Sequence, residues 1–303
     1  MAPLSAHWRQ EPSLTRSPTR LRSARRSSCC LLPRCTPCGC RAKRPWWQDD
    51  FMPMIQIPGS ELQAYRADPP EAFTAQPRGA LIVIHEIWGL VDHIRDVADR
   101  FAAEGYLVVA PDILSTAGVT PQVGQELHDL ATSADEAKRT EAQPLMREKL
   151  TAAHDPAYAA WAVGQLRKVI DYLESQPGID GRIGVTGFCF GGSYSFALAA
   201  SDQRVKAAAP FYGSPPAASD IASIGCPVHA FYGDQDQRIM DGLPGVTTAM
   251  SEAGVTFEAT VYDGAQHAFF NDTNATTYDQ RAAKDAWRRV LDFLGASLSA
   301  QAK

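Results

Sequence analysis

Ala80-Leu81-Ile82-Val83-Ile84, closed by His85, is an uninterrupted apolar run about one strand long. A strand with one wet face alternates apolar and polar side chains, so an unbroken run has to be covered on both faces. The same demand recurs along the chain. Tyr106–Ala110, closed by Pro111, reads as a second buried strand, and further strands are predicted over 182–186, 205–211, 227–232 and 256–262. Helical stripes separate them. Ile94, Val97, Ala98, Phe101 and Ala102 line one face of 92–104, with Gly105 marking the stop. Trp161, Val163, Leu166, Ile170 and Leu173 do the same over 157–175, and helices are predicted over 191–200, 242–253 and 278–298. This alternation predicts an α/β fold: one doubly wound, mostly parallel sheet with helices on both faces. In such sheets ligands bind beyond the carboxyl ends of the strands. Residues 112–155, polar and Ala-rich, are expected to hold a short helix in an excursion over that face.

The periodic part, 54–298, is expected to form one domain. The chain has 303 residues, 45% of them hydrophobic, which supports a sizeable core. The net charge of −5 is unevenly spread: residues 1–50 carry ten basic and three acidic side chains, leaving −12 on the remainder. An acidic body without a basic face argues against a nucleic-acid partner. No run approaches the roughly 18 apolar residues of a membrane span.

Residues 1–50 are rich in Arg, Ser, Pro and Cys and show neither period. They are expected to be a disordered extension, or one translated from a start codon placed too early, since Met52 and Met54 directly precede the first periodic segment. A transit peptide is a competing reading, given the Arg- and Ser-rich composition. A metal knuckle at Cys35, Cys38 and Cys40 lacks a second ligand pair at zinc-finger spacing. Five of the seven cysteines lie in this stretch, so the body keeps only Cys189 and Cys226. That is no disulfide framework and fits a reducing, cytoplasmic setting.

Chemistry concentrates at Gly187-Phe188-Cys189-Phe190-Gly191-Gly192, between a predicted strand and a predicted small-residue helix. G-x-C-x-G in that setting is the form of a nucleophile elbow, the strained turn that lifts a reactive side chain above an α/β-hydrolase sheet. Small neighbours let strand and helix approach. The sulfur would sit at a helix N-terminus, where the macrodipole favours thiolate, with Phe190 N–H ready to stabilise an oxyanion. The bland alternative is a glycine-rich turn around a structural cysteine.

A thiol nucleophile needs a base, and the base needs an orienting carboxylate, in the chain order nucleophile, acid, histidine. Asp234 and Asp236 both follow the strand ending at Tyr232. His267 follows the next strand. The other body histidines precede the elbow or lie within helices, loops or a strand.

Five segments together resemble the dienelactone hydrolase family, the carboxymethylenebutenolidases: His85-Glu86-Ile87-Trp88-Gly89, Ala110-Pro111-Asp112, the cysteine elbow, Tyr232-Gly233-Asp234-Gln235-Asp236, and Gly264-Ala265-Gln266-His267-Ala268-Phe269. The resemblance spans about 54–298. It implies an α/β-hydrolase fold and hydrolysis of small esters or lactones through a cysteine acyl-enzyme. Cys189 would be the nucleophile, His267 the base and Asp236 its partner. Glu86 would contact the resting thiol and help generate thiolate, and Ile87 N–H would join Phe190 N–H as oxyanion donor. Otherwise Glu86 is a partner for Arg95 or another cation. The family's carboxylate-binding arginines, one soon after the Pro-Asp pair and one shortly past the histidine, are missing from Ile113-Leu114-Ser115-Thr116 and Phe269-Phe270-Asn271-Asp272. A more neutral substrate is expected. No metal or organic cofactor is implied. Two rival readings are a redox sensor, with Cys226 as resolving thiol, and a non-catalytic hydrolase-like binding protein.

Overall fold

A computed structural model describes residues 54–299; the extension 1–50 and its proposed metal knuckle lie outside the described residues. The elements run in the order β1 (Met54–Gln56), β2 (Gln63–Ala67), α1 (Glu71–Thr74), β3 (Ala80–Ile84), α2 (Asp92–Ala103), β4 (Leu107–Pro111), α3 (Pro121–Ala131), α4 (Glu136–Leu150), α5 (Pro156–Glu174) and β5 (Ile183–Phe188). They continue with α6 (Phe190–Ser201), β6 (Val205–Phe211), α7 (Ala218–Ile221), β7 (Val228–Gly233), α8 (Gln237–Met240), α9 (Leu243–Glu252), β8 (Phe257–Tyr262) and α10 (Gln280–Ser297).

All eight strands form one sheet in the order β1-β2-β4-β3-β5-β6-β7-β8. From β4 to β8 the pairing is parallel, and β1 and β2 add an antiparallel margin. Burial explains the apolar runs. Every residue of β3, β4, β5 and β7 is buried, whereas β8 at the edge is mostly half-exposed.

The chain steps from β3 to β4 in one direction and from β5 to β6 in the other, so right-handed crossovers put α2 and α6 on opposite faces. α10 shares the face of α2, where Phe101 packs on Trp287 with ring centroids 4.5 Å apart. α5 packs beside α6. The strand order reverses between β3 and β5, which are paired as far as Ile84 and Gly187. A crevice opens at such a switch point, beyond the carboxyl ends of the strands. Glu86 follows one of these strands and Cys189 the other.

The excursion after β4 is more helical than its sequence suggested. It contains α3 and the 15-residue α4, joined to the sheet through a 3-10 turn at Ser115–Ala117. α4 buries only Ala142 and Leu150 and carries Pro144 inside, so it has no apolar stripe to read. Caps mark the helix starts instead: Thr120 accepts from Val123 N ahead of Pro121, and Asp135 accepts from Ala137 N. The excursion builds its own small core of Leu114, Val119, Leu150 and Ala153, packed against Ile87, Met146, Tyr158 and Phe190. Among the described residues no helix is long and apolar enough to cross a membrane.

Candidate active site

Cys189 has φ +54° and ψ −111°, a conformation side-chain-bearing residues rarely adopt and which costs about 1–3 kcal/mol. Its neighbours show why the turn is built of glycine. A Cβ on Gly187 would stand 2.2 Å from Gly191 O; one on Gly191, 2.1 Å from Ile84 O; one on Gly192, 2.5 Å from Phe211 O. β3, β5, β6 and the start of α6 thus converge on space that only hydrogen can share. Cys189 N donates to Phe211 O at 3.0 Å and tethers the elbow to β6.

The backbone N–H groups of Phe190 and Ile87 are near enough to the Cys189 sulfur to act on its titration. They favour thiolate, as does the charge of Arg238, but they lose. Burial, with the charge of Glu86 second, pushes the thiol up to about 12. The macrodipole expectation is therefore corrected: the resting group is a thiol, because desolvation and an adjacent carboxylate outweigh two dipoles at a helix start.

Asp236 and His267 are brought together by close packing of their two loops. A Cβ on Gly233 would meet Ala265 O at 2.3 Å, and Gln235 N donates to Ala265 O. His267 Nδ1 donates to Asp236 Oδ2 at 2.5 Å, leaving Nε2 as the acceptor. Asp234 has a different task, accepting from Gly264 N at 2.8 Å and from Gln235 Nε2 at 3.0 Å. The described residues include no hydrogen bond between His267 and the sulfur. The ring lies against Tyr212, centroids 5.1 Å apart.

Glu86 is 1% exposed. Its Oε1 accepts from Tyr212 Oη at 3.2 Å and its Oε2 from Asn271 Nδ2 at 2.7 Å. Both oxygens accept from neutral donors, and the charge of Glu86 opposes thiolate at Cys189. Arg95, the alternative partner, pairs with Asp92 at 3.1 Å. Tyr212 and Asn271 escaped the sequence reading. The signal available for Tyr212 was its position between a buried strand and Gly213; its φ of +38° marks a second strained turn beside the elbow.

His85, set aside above, braces this turn. Its Nδ1 donates to Glu86 O at 2.7 Å and its Nε2 accepts from Ile113 N at 3.2 Å. Burial lowers its pKa and keeps it neutral. The ring stacks on Phe190, with 6.2 Å between centroids.

At the two places without arginine, the side chains are committed elsewhere. Leu114 is buried in the excursion's apolar cluster, and Asn271 is spent on Glu86. Cys226 precedes β7 at the amino ends of the strands, while Cys189 stands at their carboxyl ends; both are free thiols. A six-residue strand spans about 20 Å, far beyond disulfide reach.

Comparison with known proteins places this arrangement in context. The model of the dienelactone hydrolase family matches residues 62–298. A protein of Saccharolobus solfataricus named as a carboxymethylenebutenolidase is 31% identical over 78% of this chain and 94% of its own length. One of Salmonella typhimurium with the same name is 33% identical over 79% of this chain and 84% of its own. The crystal structure of a protein of Klebsiella pneumoniae named as a dienelactone hydrolase superposes with TM-score 0.66 at 29% identity, covering 80% of this chain and 98% of that one.

Proposed function

Because this chain belongs to the dienelactone hydrolase family, and is thereby a hydrolase of the ester or lactone type, we propose that it works through a cysteine acyl-enzyme. Cys189 is the nucleophile, His267 the base and Asp236 the carboxylate that holds the imidazole in its working tautomer. Ile87 and Phe190 supply the oxyanion donors. The observation that carries this reading is a cysteine on a strained strand-to-helix elbow, with an imidazole held by a carboxylate on the loops after the neighbouring strands.

At rest the thiol keeps its proton. A substrate carbonyl bound at the elbow puts its oxygen between the two N–H groups, and His267 Nε2 takes the thiol proton as sulfur attacks the carbonyl carbon. The tetrahedral oxyanion collapses, the carbon–oxygen bond to the leaving group breaks, and the imidazolium protonates the departing alcohol or enol. Water then gives a proton to His267 and its oxygen to the thioester carbonyl. The acid leaves and sulfur recovers its proton. Thiolate is a good leaving group itself, so activated substrates such as enol lactones suit this site better than alkyl esters. The lack of an arginine in 113–116 and in 269–272 favours substrates without a carboxylate.

The test is turnover of p-nitrophenyl acetate and of a simple enol lactone by the full chain and by Cys189→Ala. A burst of p-nitrophenol and a trapped acyl group on the Cys189 peptide are expected. Equal steady-state rates in the two proteins would refute the assignment.

A further inference from the structure

Asn271 stands on the loop after β8, and its amide has only one consistent orientation. Thr273 N, which can only donate, lies 3.0 Å from Asn271 Oδ1, and the Thr273 hydroxyl lies 2.6 Å from the same oxygen. The amide nitrogen therefore faces Glu86 Oε2 and donates to it. Thr273 Oγ1 also meets His128 Nε2, 3.3 Å away, and the other ring nitrogen of His128 lies 3.3 Å from Asp129 Oδ1. The Thr273 donors and the Asn271 amide point the same way, towards the Glu86 carboxylate. α3 is itself pressed onto the turn after β3. A Cβ on Gly124 would meet Trp88 O at 1.7 Å, and the Trp88 ring stands edge-on to His128, centroids 5.6 Å apart.

We propose that Asn271 is a positioning residue: locked by Thr273 and backed by His128 of α3, it pins the Glu86 carboxylate beside Cys189 and so governs the reactivity of the thiol. The proposal rests on the reading of Cys189 as nucleophile. A fixed negative charge next to sulfur opposes a second one, and an amide whose oxygen is itself held by two donors pins that charge more firmly than a lone amide would. Among the groups around the sulfur, Glu86 opposes thiolate, Arg238 favours it, and Tyr212 bridges to Glu86 as a neutral phenol raised by burial.

The experiment reads the sulfur directly. Full-length protein is alkylated with iodoacetamide at pH 8, and the rate is followed by mass on the Cys189 peptide, so that other thiols do not count. In Asn271→Asp two carboxylates share one proton, and Thr273's two donors draw the charge onto the new side chain and away from sulfur. The Cys189 rate is expected to rise about tenfold, the equivalent of one pKa unit. Asn271→Ala, which removes a donor without adding charge, is expected to give a smaller rise of about threefold. Adding Thr273→Val to Asn271→Asp should cancel at least half the gain, whereas Thr273→Ser, which keeps the hydroxyl, should not. Rates that stay at wild type in both Asn271 variants, with unchanged melting temperature, overturn the proposal; so do Val and Ser variants that behave alike. Because alkylation does not require turnover, a failed esterase assay with Cys189→Ala would leave this result separately readable.

Discussion

His267 Nδ1 lies 2.5 Å from Asp236 Oδ2, while Asp234, two positions earlier in the same loop, turns its carboxylate to Gly264 N. Two aspartates that look equivalent in sequence thus meet different partners. One faces an imidazole and the other closes a turn.

The first prediction separates them. Asp236→Asn should cut kcat/KM on p-nitrophenyl acetate by about 10³–10⁴, because the amide lets the imidazole adopt the wrong tautomer. Asp234→Asn should stay within about threefold in rate and lower the melting temperature by a few degrees, as expected for loss of roughly 1 kcal/mol. Equal rate losses in the two variants would count against the assigned pair.

Glu86 supplies the second largest push on Cys189, after burial. Replacing it by Gln removes a negative charge beside the sulfur, so the thiol should fall from about 12 towards its ordinary value. Alkylation of Cys189 at pH 8 should accelerate about tenfold or more, and peroxide should oxidise it faster. An unchanged alkylation rate would mean that burial alone holds the proton.

The elbow's positive φ has a thermodynamic consequence. Cys189→Gly relieves a strain that Cys189→Ala retains, and the Gly variant should be the more stable of the two by about 1 kcal/mol, within the known range for such positions. Chemical denaturation of both variants measures the difference. A Gly variant less stable than the Ala variant would show that the turn is not strained.

His85 is buried, and its pKa is lowered from 6.5, so the folded state binds its proton less readily than the unfolded chain does. Its contribution to stability is present above about pH 6.5 and is lost as pH falls below it. His229, lowered for the same reason of burial, adds to that slope. Melting temperature should drop between pH 7 and 5, and less steeply in His85→Asn, whose amide can still donate to Glu86 O. A parallel decline in the variant would remove His85 from the account.

Much of this was legible beforehand because the central strands are covered on both faces, which leaves long apolar runs such as Ala80–Ile84. The elbow was legible because Gly187, Gly191 and Gly192 are demanded by backbone contacts between adjacent strands and α6. Residues whose role depends on contacts between distant segments stayed hidden. Tyr212 and Asn271 meet at Glu86 from 126 and 185 positions away, and no local pattern announces such a meeting. α4 was missed for the opposite reason: it rests on the surface and needs few apolar residues. The edge strand β1 has only three residues, too few to show a period, and β2 is only partly buried and has no unbroken apolar run.

The excursion has a small apolar cluster of its own, four buried residues separate from the main core. Little free energy is needed to peel back so small a patch, far less than to unfold the sheet. Amide hydrogens over 114–153 should therefore exchange orders of magnitude faster than those of β3 and β5. Because this patch leans on Ile87 and Phe190, a substitution that loosens it, such as Leu150→Ala, should disturb both of those positions at once.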